Sequence, residues 1–318
     1  MNPAGAGPDA RTILCAGIIV LDEVFQADHL PRPDEKIQAQ SFFIVNGGCA
    51  ANAAVAVARL GGRASLAGPL GDDANGERVL AALAREEVDC SGCQRLAGTP
   101  TAVSAIFLDA HGERMIVTHC DERLGAARPI NPAQLIASAD AVLADNRFPE
   151  FVQPICEAAR ARGLVVVLDA DRPTQICDEL FRIATHVVFS SECLRATTGC
   201  DDLAAGLAAV AATTSAFLAV THGPNDVLWR EGAAMRKSPV FAVDAVDTLG
   251  AGDVFHGAFA LALAQGRTLA AAIRFAAAAA GLKCTRLGGS MGAPDAARSR
   301  LCSRGRPRAN LSCRRKLF

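Results

Sequence analysis

The sequence predicts an α/β protein, with a doubly wound, mostly parallel sheet flanked by helices and a small antiparallel β-layer beside it. Strand-length apolar runs alternate with helical patterns along most of the 318 residues, and such alternation is typical of a parallel sheet with helices on both faces. Two regions, residues 22–46 and 101–121, break this rhythm with alternating or β-branched segments. We expect these two regions to form the small sheet.

The individual elements follow from the apolar runs in chain order. Residues 12–21 form a near-continuous apolar run, which predicts a buried strand of the parallel sheet. Further strands are predicted at residues 141–144, 164–168, 186–189 and 217–220. Helical patterns are predicted at residues 49–60, 76–87, 151–162, 175–183 and 201–213. In the small sheet we expect a strand within 37–44 and a hairpin of 101–108 with 114–119, joined by a turn at 109–112.

The composition is that of a globular protein that can bury a large core. Hydrophobic residues make up 51% and charged residues 20% of the chain, which is an ordinary balance. No apolar run reaches the roughly 18 residues that a membrane-spanning helix needs, and the polar residues 1–10 do not predict a signal peptide. We therefore expect a cytoplasmic protein without a membrane partner.

Charge and cysteine content suggest no further partner. The net charge is −1, but residues 298–318 carry eight positive side chains and no acidic one. This basic tail lacks interleaved aromatic residues, so we expect a disordered segment and no nucleic-acid partner. Among the twelve cysteines only Cys90 and Cys93 have C-x-x-C spacing. No second ligand pair lies near them, which predicts reduced thiols and no metal site.

The most informative segment is residues 246–257, which reads VDTLGAGDVFHG. A glycine-rich turn precedes an apolar helical run, so the backbone N–H groups of residues 250–253 can converge at a helix N-terminus that favours an anion. The amides of Gly250, Ala251 and Gly252 would stabilise a transferred phosphoryl group, and Asp253 would accept the proton of the attacking hydroxyl. An ordinary helix cap is the alternative interpretation of Asp253.

A second glycine-rich turn leads into a helix near the N-terminus. Gly47 and Gly48 permit a ligand to approach the backbone closely, and Asn52 offers both a donor and an acceptor, as a sugar hydroxyl requires. A helix start with an incidental asparagine is the alternative. The chain contains neither a Walker A pattern nor G-x-G-x-x-G, so the two commonest nucleotide motifs do not compete with this interpretation.

Together these motifs resemble the ribokinase-like (PfkB-type) carbohydrate kinases. Residues 247–253 resemble the family signature D-T-x-G-A-G-D, and residues 47–52 resemble G-G-x-x-x-N. The resemblance implies a ribokinase-like kinase domain at 11–297, whose small sheet forms a lid. It also implies that Asp253 is the catalytic base, that residues 250–253 form the anion hole and that Asp22 binds sugar hydroxyls.

Within this family the chain most resembles the sulfofructose kinases, in which a lysine, an asparagine and an arginine hold the sulfonate. Lys36 and Arg147 match the lysine and the arginine, whereas Thr118 stands at the asparagine position. Arginine and lysine both suit an oxyanion, so the resemblance implies a ketose with an anionic end. A solvated charge for Lys36 and a surface salt bridge for Arg147 are the alternatives.

The nucleotide side of the family pattern is altered in this chain. The usual N-x-x-E motif is replaced by residues 190–192, where Ser190 precedes Glu192, and Glu192 is expected to keep part of the role toward magnesium-linked phosphate. Thr221 and Gly223 resemble the nucleotide-side loop. The resemblance implies ATP and Mg²⁺ as cofactors, allows a monovalent cation, and implies a homodimer formed through the lid.

The function predicted from the sequence is ATP-dependent phosphorylation of a primary hydroxyl of a small sugar. A non-catalytic sugar- or nucleotide-binding protein is one alternative, opposed by Asp253 and favoured by the altered Ser190 region. A nucleoside kinase of the same fold is the other. The chain has 14 Phe, one Trp and no Tyr, which leaves few stacking partners for a base.

Overall fold

The computed structural model describes residues 10–109 and 113–295. The predicted basic tail at 298–318 and the tip of the turn at 109–112 lie outside these residues. Fifteen strands are present in the described ranges, and they are β1 Thr12–Ala16, β2 Val20–Gln26, β3 Ser41–Gly47, β4 Arg63–Ala67, β5 Pro69–Gly71, β6 Val88–Asp89, β7 Gln94–Leu96, β8 Ala102–Leu108, β9 Arg114–His119, β10 Ala141–Asp145, β11 Val165–Ala170, β12 His186–Ser190, β13 Phe217–His222, β14 Asn225–Glu231 and β15 Ala234–Ser238.

The helices lie between these strands along the chain. In the described residues they are α1 Cys49–Arg59, α2 Ala74–Arg85, α3 Glu122–Gly125, α4 Pro132–Leu135, α5 Pro149–Ala161, α6 Glu179–Ile183, α7 Ser191–Thr198, α8 Leu203–Ala211, α9 Ala251–Ala264 and α10 Leu269–Cys284. A 3₁₀ turn follows at Gly289–Gly292. None of the described helices combines the length and apolar character that a membrane crossing requires.

The main sheet has nine strands in the order β15-β14-β13-β12-β11-β10-β1-β4-β6. Strands β13 to β6 of this order pair in parallel, whereas β14 and β15 add an antiparallel edge. Helices α1, α9 and α10 bury an alanine-rich core on one face. Helices α5 to α8 cover the other face. The predicted doubly wound, mostly parallel α/β class is thereby confirmed.

A second sheet has four strands in the order β3-β2-β8-β9. Its outer pairs are antiparallel, and its central pair, β2 with β8, is parallel. Alternation along the strands separates two faces. The inner face packs Val24, Ile106 and Leu108 against Leu249 of the chain segment that precedes α9. This contact holds the small sheet over the edge of the main sheet where α9 begins.

The single strand predicted at residues 12–21 is wrong. The chain leaves the main sheet after β1 at Gly17, whose φ is +148°, and re-enters as β2 of the small sheet. A side chain at Gly17 would collide with Asp145, because an ideal Cβ would lie 2.0 Å from Asp145 Oδ2. Asp22 therefore lies within β2, and not at the end of the first strand as the apolar run predicts.

Two further boundaries differ from the sequence prediction. The strand expected within 37–44 is Ser41–Gly47, because its partner β2 ends at Gln26, the residue that pairs with Ser41. The helix expected at 175–183 is only Glu179–Ile183. Asp178 caps this helix by accepting a hydrogen bond from the N–H of Leu180, so the helix begins after Asp178.

Candidate active site

The site forms where central strands end and two helices begin. Asp145 ends β10, and its carboxylate accepts hydrogen bonds from the N–H groups of Ile18 at 2.8 Å and Ala50 at 3.2 Å. Ile18 lies just after β1 and Ala50 lies in the first turn of α1, so Asp145 links β10 to both elements. One oxygen of Asp169 and one of Asp253 lie within 4.8 Å of each other, which brings the end of β11 and the start of α9 to the same place.

The N-terminus of α9 is open. Gly250 is its N-cap, in the left-handed conformation at φ +74°, and no side chain caps the helix. A Cβ added at Gly252 would meet nothing within 4 Å, so the first turn borders open space at this residue. The N–H of Ala251 donates a hydrogen bond of 3.2 Å to the carbonyl oxygen of Thr248. Asp253 lies inside the first turn, three residues beyond the cap. The interpretation of Asp253 as an ordinary helix cap is therefore wrong.

Asp253 is held by Asn52 in a partly buried position. The side-chain amide of Asn52 donates a hydrogen bond of 2.7 Å to Asp253 Oδ2. Burial raises the pKa of Asp253 to about 6; the Asn52 hydrogen bond opposes this rise, and the charges of Asp171 and Asp145 add to it. A carboxylate whose pKa lies close to the working pH suits a general base.

Asp22 faces the same space from the inner face of the small sheet. It lies directly against Gly47, since a Cβ added there would lie 2.0 Å from Asp22 Oδ2. Burial raises the pKa of Asp22 to about 7, a Ser104 hydrogen bond opposes the rise and the charge of Asp253 adds to it. The Ser104 hydroxyl in turn lies 2.9 Å from that of Thr118. The structure therefore brings Asp22, Gly47 and Thr118 into one polar row.

Gly48 and Asn52 connect this row to α9. Gly48 is the N-cap of α1, and no side chain caps that helix either. Asn52 lies one turn into α1 and is buried, with its amide directed at Asp253. The two glycine-rich turns predicted from the sequence therefore open at the same place, although about 200 residues separate Asn52 from Asp253 along the chain.

The predicted anion-binding pair is not assembled as a free site. Arg147 donates hydrogen bonds from Nε, at 2.9 Å, and from Nη2 to the carboxylate of Asp171. Lys36 is exposed in the segment between β2 and β3. Among the described residues no hydrogen bond or ion pair joins Lys36 to Arg147 or to Thr118. The salt-bridge alternative for Arg147 thus describes its contacts in this structure.

The residues predicted for the nucleotide side lie together at the ends of β12 and β13. Ser190 and Thr221 are register partners in these parallel strands. Ser190 caps α7 by accepting a hydrogen bond of 3.1 Å from the N–H of Cys193, and Glu192 is exposed in the first turn of that helix. Gly223 follows β13 at the exposed turn. His256 in α9 contacts the same strand, because its Nε2 lies 3.3 Å from the carbonyl oxygen of Val188 in β12. The nucleotide-side residues therefore lie next to α9.

Three acidic residues of the site were not predicted from the sequence. Asp145 and Asp169 are register partners at the carboxyl ends of β10 and β11, and Asp171 follows them two residues after Asp169. Burial raises the pKa of Asp169 well above its ordinary value, and neighbouring carboxylates raise it further. The sequence feature that could have identified Asp145 and Asp169 is that each directly follows a predicted apolar strand. An acid at that position lies at the carboxyl edge of the sheet, where ligands bind.

Cys49 completes a group of three potential metal ligands with Asp169 and Asp253. Burial raises the pKa of the Cys49 thiol well above its ordinary value, and the nearby carboxylates raise it further. A protonated thiol is a poor metal ligand, and Asp253 is already engaged by Asn52. The group therefore offers a divalent metal two crowded carboxylates at most. The cysteines in the described ranges are all free thiols.

Comparison with known proteins identifies the family. The family model for pfkB family carbohydrate kinases matches residues 10–296. The chain belongs to this family. It is therefore a carbohydrate kinase, an enzyme that transfers a phosphoryl group to a carbohydrate.

Individual relatives of this kinase match over most of its length. It is 31% identical over 287 residues to a ribokinase of Bacillus subtilis, covering 89% of this chain and 96% of that one. It is 30% identical over 226 residues to a fructokinase of Klebsiella pneumoniae, covering 66% and 74%. A solved structure from Agrobacterium tumefaciens, assigned as a candidate ribokinase, superposes with a TM-score of 0.88 at 38% identity, covering 93% of this chain and 98% of the other.

Proposed function

We propose that this kinase transfers the γ-phosphoryl group of ATP to a primary hydroxyl of a small sugar, with Asp253 as the general base. The observation that carries the proposal is the position of Asp253, which is held by Asn52 directly beside the open N-terminus of α9. Proton acceptor and anion-binding amides thus occupy the two places that phosphoryl transfer requires.

The reaction assigns a separate task to each group. The sugar hydroxyl gives its proton to the Asp253 carboxylate as its oxygen bonds to the γ-phosphorus and the bond from phosphorus to the ADP oxygen breaks. Negative charge on the transferred phosphoryl group is stabilised by the amides of Gly250, Ala251 and Gly252 and by the dipole of α9. Asp22 and Asn52 orient the sugar through its hydroxyl groups.

ATP binds on the side of β12 and β13 in this proposal. Ser190, Thr221 and Gly223 supply hydroxyl and backbone groups for the phosphates and the nucleotide. Glu192 is an exposed carboxylate in the first turn of α7, an oxygen donor of the kind that Mg²⁺ prefers. When bound with ATP, Mg²⁺ neutralises phosphate charge.

The acceptor has two candidate forms. The names of a ribokinase and a fructokinase among the relatives support a neutral pentose or ketose. The neutral form is favoured by the Arg147 contacts, since Asp171 already neutralises that guanidinium and an anionic end would have to displace it. The second candidate is a ketose with an anionic end, such as sulfofructose, read by Lys36, Thr118 and Arg147.

The alternatives to a sugar kinase are less well supported by the site. A protein that only binds sugar or nucleotide does not need a carboxylate whose pKa is raised to about 6 beside an anion hole. A nucleoside kinase needs stacking partners for a base, and the chain has one Trp and no Tyr. Among the described residues of the small sheet, Phe43 is the one aromatic residue that packs on the inner face.

A homodimer through the small sheet is part of the proposal. Phe42, Ile44, Met115 and Val117 lie on the outer face, and all four are exposed. Two sheets of this size cover such faces when they pack together. The outer face thus suits a second copy of this chain, while the inner face closes over the sugar. The cytoplasm remains the expected place of action.

One screen tests the function. ADP release is measured for the full chain with Mg²⁺ and ATP against pentoses, ketoses, sugar acids, a sulfosugar and nucleosides. A sugar-dependent rate that disappears in the Asp253→Asn variant supports the proposal. Release that depends on nucleosides alone would support the nucleoside kinase, and thermal stabilisation by a sugar without any ADP release would support the binding protein.

A further inference from the structure

The last helix carries a lysine that is wholly buried. Lys283, one residue before the end of α10, has a relative exposure of 0%, and its partner Asp247 has 1%. The Lys283 ammonium lies 3.0 Å from Asp247 Oδ2 and donates a hydrogen bond of 2.7 Å to the backbone oxygen of the same residue. A buried charge of this kind persists only when it is paired, and this pair lies outside the groups that carry the reaction.

Asp247 opens the loop that leads into the anion hole. This loop, residues 247–250, is called the anion-hole loop below. Asp247 Oδ1 accepts a hydrogen bond of 2.7 Å from the N–H of Leu249, and Oδ2 accepts two more, from Gly288 at 3.0 Å and Gly289 at 3.1 Å. Leu249 immediately precedes Gly250, the N-cap of α9. The carboxylate therefore sets the path of the backbone into the anion hole.

The end of α10 also makes backbone hydrogen bonds to the start of this loop. The carbonyl oxygen of Cys284 accepts hydrogen bonds from the N–H groups of Val246 at 2.7 Å and Asp247 at 3.2 Å. Lys283 and Cys284 thus bind the backbone on both sides of the Asp247 side chain. Loss of the ammonium would leave a buried carboxylate without its counter-charge, and the loop that depends on that carboxylate would lose its fixed position.

A dissociable monovalent cation, which the family resemblance allows, does not fit this carboxylate. Asp247 Oδ2 already has three donors, and one of them is a full positive charge. A second cation would have to displace the ammonium of Lys283, which is covalently attached and wholly buried. The charge that such an ion would supply is already built into the chain.

We propose that Lys283 is a positioning residue whose ammonium serves as a fixed internal cation for the anion-hole loop, so that the kinase requires no dissociable monovalent cation. The proposal rests on the proposed function only for its activity readout. Lys283 acts through Asp247 and the loop, and it contacts neither the sugar nor the phosphoryl group.

The test compares wild type, Lys283→Ala and Lys283→Met in buffers in which K⁺, Na⁺ or NH₄⁺ replaces tetramethylammonium. Wild-type kcat should change by less than about fivefold, the lower limit of a typical coupling effect. Lys283→Ala should lose about 10-fold to 100-fold in kcat, as expected when reacting groups are misplaced by about 1 Å, with KM for the sugar little changed. NH₄⁺ or K⁺ should restore part of that loss.

Lys283→Met fills the space with an apolar chain, so it should lose activity without being rescued. Lys237→Ala, which removes an exposed lysine, is the matched control and should behave as wild type in every buffer. Melting temperature with and without ATP is recorded in the same buffers. Cation-dependent stabilisation should be confined to Lys283→Ala.

Two results would overturn the proposal. One is a wild-type kcat that falls more than about fivefold when monovalent metal ions are removed; the other is a folded Lys283→Ala variant with full kcat in every buffer. If neither Lys283 variant folds, the dependence of wild-type kcat on the monovalent cation decides whether the proposal stands. If no sugar releases ADP, the proposed function fails separately, and the melting temperatures with ATP decide about Lys283.

Discussion

Asn52 in α1 donates its side-chain amide to the Asp253 carboxylate in α9 at 2.7 Å, across 201 positions of the chain. This bond links the two glycine-rich turns. It also favours the ionised form of Asp253, against the burial that raises its pKa. With a pKa of about 6, the base is half ionised near pH 6 and largely ionised at neutral pH.

Asp253→Asn removes the proton acceptor and keeps the size of the side chain. We expect kcat to fall by about 10²-fold to 10⁴-fold, the range of general acid–base contributions, while ATP binding measured by calorimetry is largely retained. Asp226→Asn, at an exposed position in β14, is the control. An Asp253→Asn enzyme with more than about half of the wild-type kcat would show that Asp253 is not the base.

The pH dependence of kcat should report Asp253. The carboxylate must be ionised to accept a proton, so kcat should rise with pH through about 6, the pKa of the buried group. Asn52→Ala removes the hydrogen bond that lowers this pKa, so the acidic limb should move to higher pH. Asn225→Ala, at the exposed first residue of β14, should leave the pH profile of kcat unchanged. An acidic limb that does not move in Asn52→Ala would contradict this role of Asn52.

Arg114 extends from the small sheet to the anion-hole loop. Its Nη1 donates a hydrogen bond of 2.6 Å to the Thr248 hydroxyl, and its charge also lowers the pKa of Asp253. Arg114→Gln should reduce kcat about tenfold through loss of loop position and shift the acidic limb upward. Arg236→Gln, at an exposed position of β15, serves as the control. Unchanged kcat and an unchanged pH profile together would remove Arg114 from the site.

The turn and the helix start at residues 250–253 could be predicted from the sequence because this motif is local. The backbone conformation of these residues and the helix that follows are determined within a few residues, so the positions of Gly250 and Asp253 at the helix start follow from the pattern, whereas their roles in the reaction stay a prediction. The chain break at Gly17 could not be predicted, since its cause is the carboxylate of Asp145, far away in sequence. An apolar run indicates burial but does not say in which sheet a strand is buried.

The pairing of charges was the least predictable part of the site. Lys283 follows an alanine-rich helical run and was assigned no role from the sequence, yet it is fully buried against Asp247. Arg147 was recognised as a cation, but its partner Asp171 lies on the neighbouring strand end. Which charged residues pair with each other depends on the order of the strands in the sheet, and that order cannot be predicted from the local spacing of residues.

The charge of the acceptor can be tested at the Arg147–Asp171 pair. If the substrate has an anionic end, Arg147→Ala should raise KM for an anionic sugar and hardly change KM for a neutral one. Asp171→Asn frees the guanidinium, so it should lower KM for the anionic sugar. Steady-state kinetics on one sugar of each type measure both effects. Equal effects on the two sugars would remove the anion site and leave neutral ketose or pentose recognition.

The outer face of the small sheet provides the last test. Phe42 is 52% exposed and stacks on Phe25, with ring centroids 4.9 Å apart, whereas Phe43 packs inward with Val24. Phe42→Asp therefore places a charge on the outer face without entering the core. If that face pairs two copies, the change should shift the dimer toward monomer in light scattering, because an unpaired charge would be buried.

Ile130→Asp is the matched control, since Ile130 is 88% exposed and lies outside the small sheet. It should leave the mass unchanged. Activity should fall together with dimerisation in Phe42→Asp if the second copy stabilises the closed sheet over the sugar. An unmodified protein that is strictly monomeric at every concentration would rule out the dimer. Closure over the sugar would still stand in that case, because the inner face that carries Asp22 belongs to a single chain.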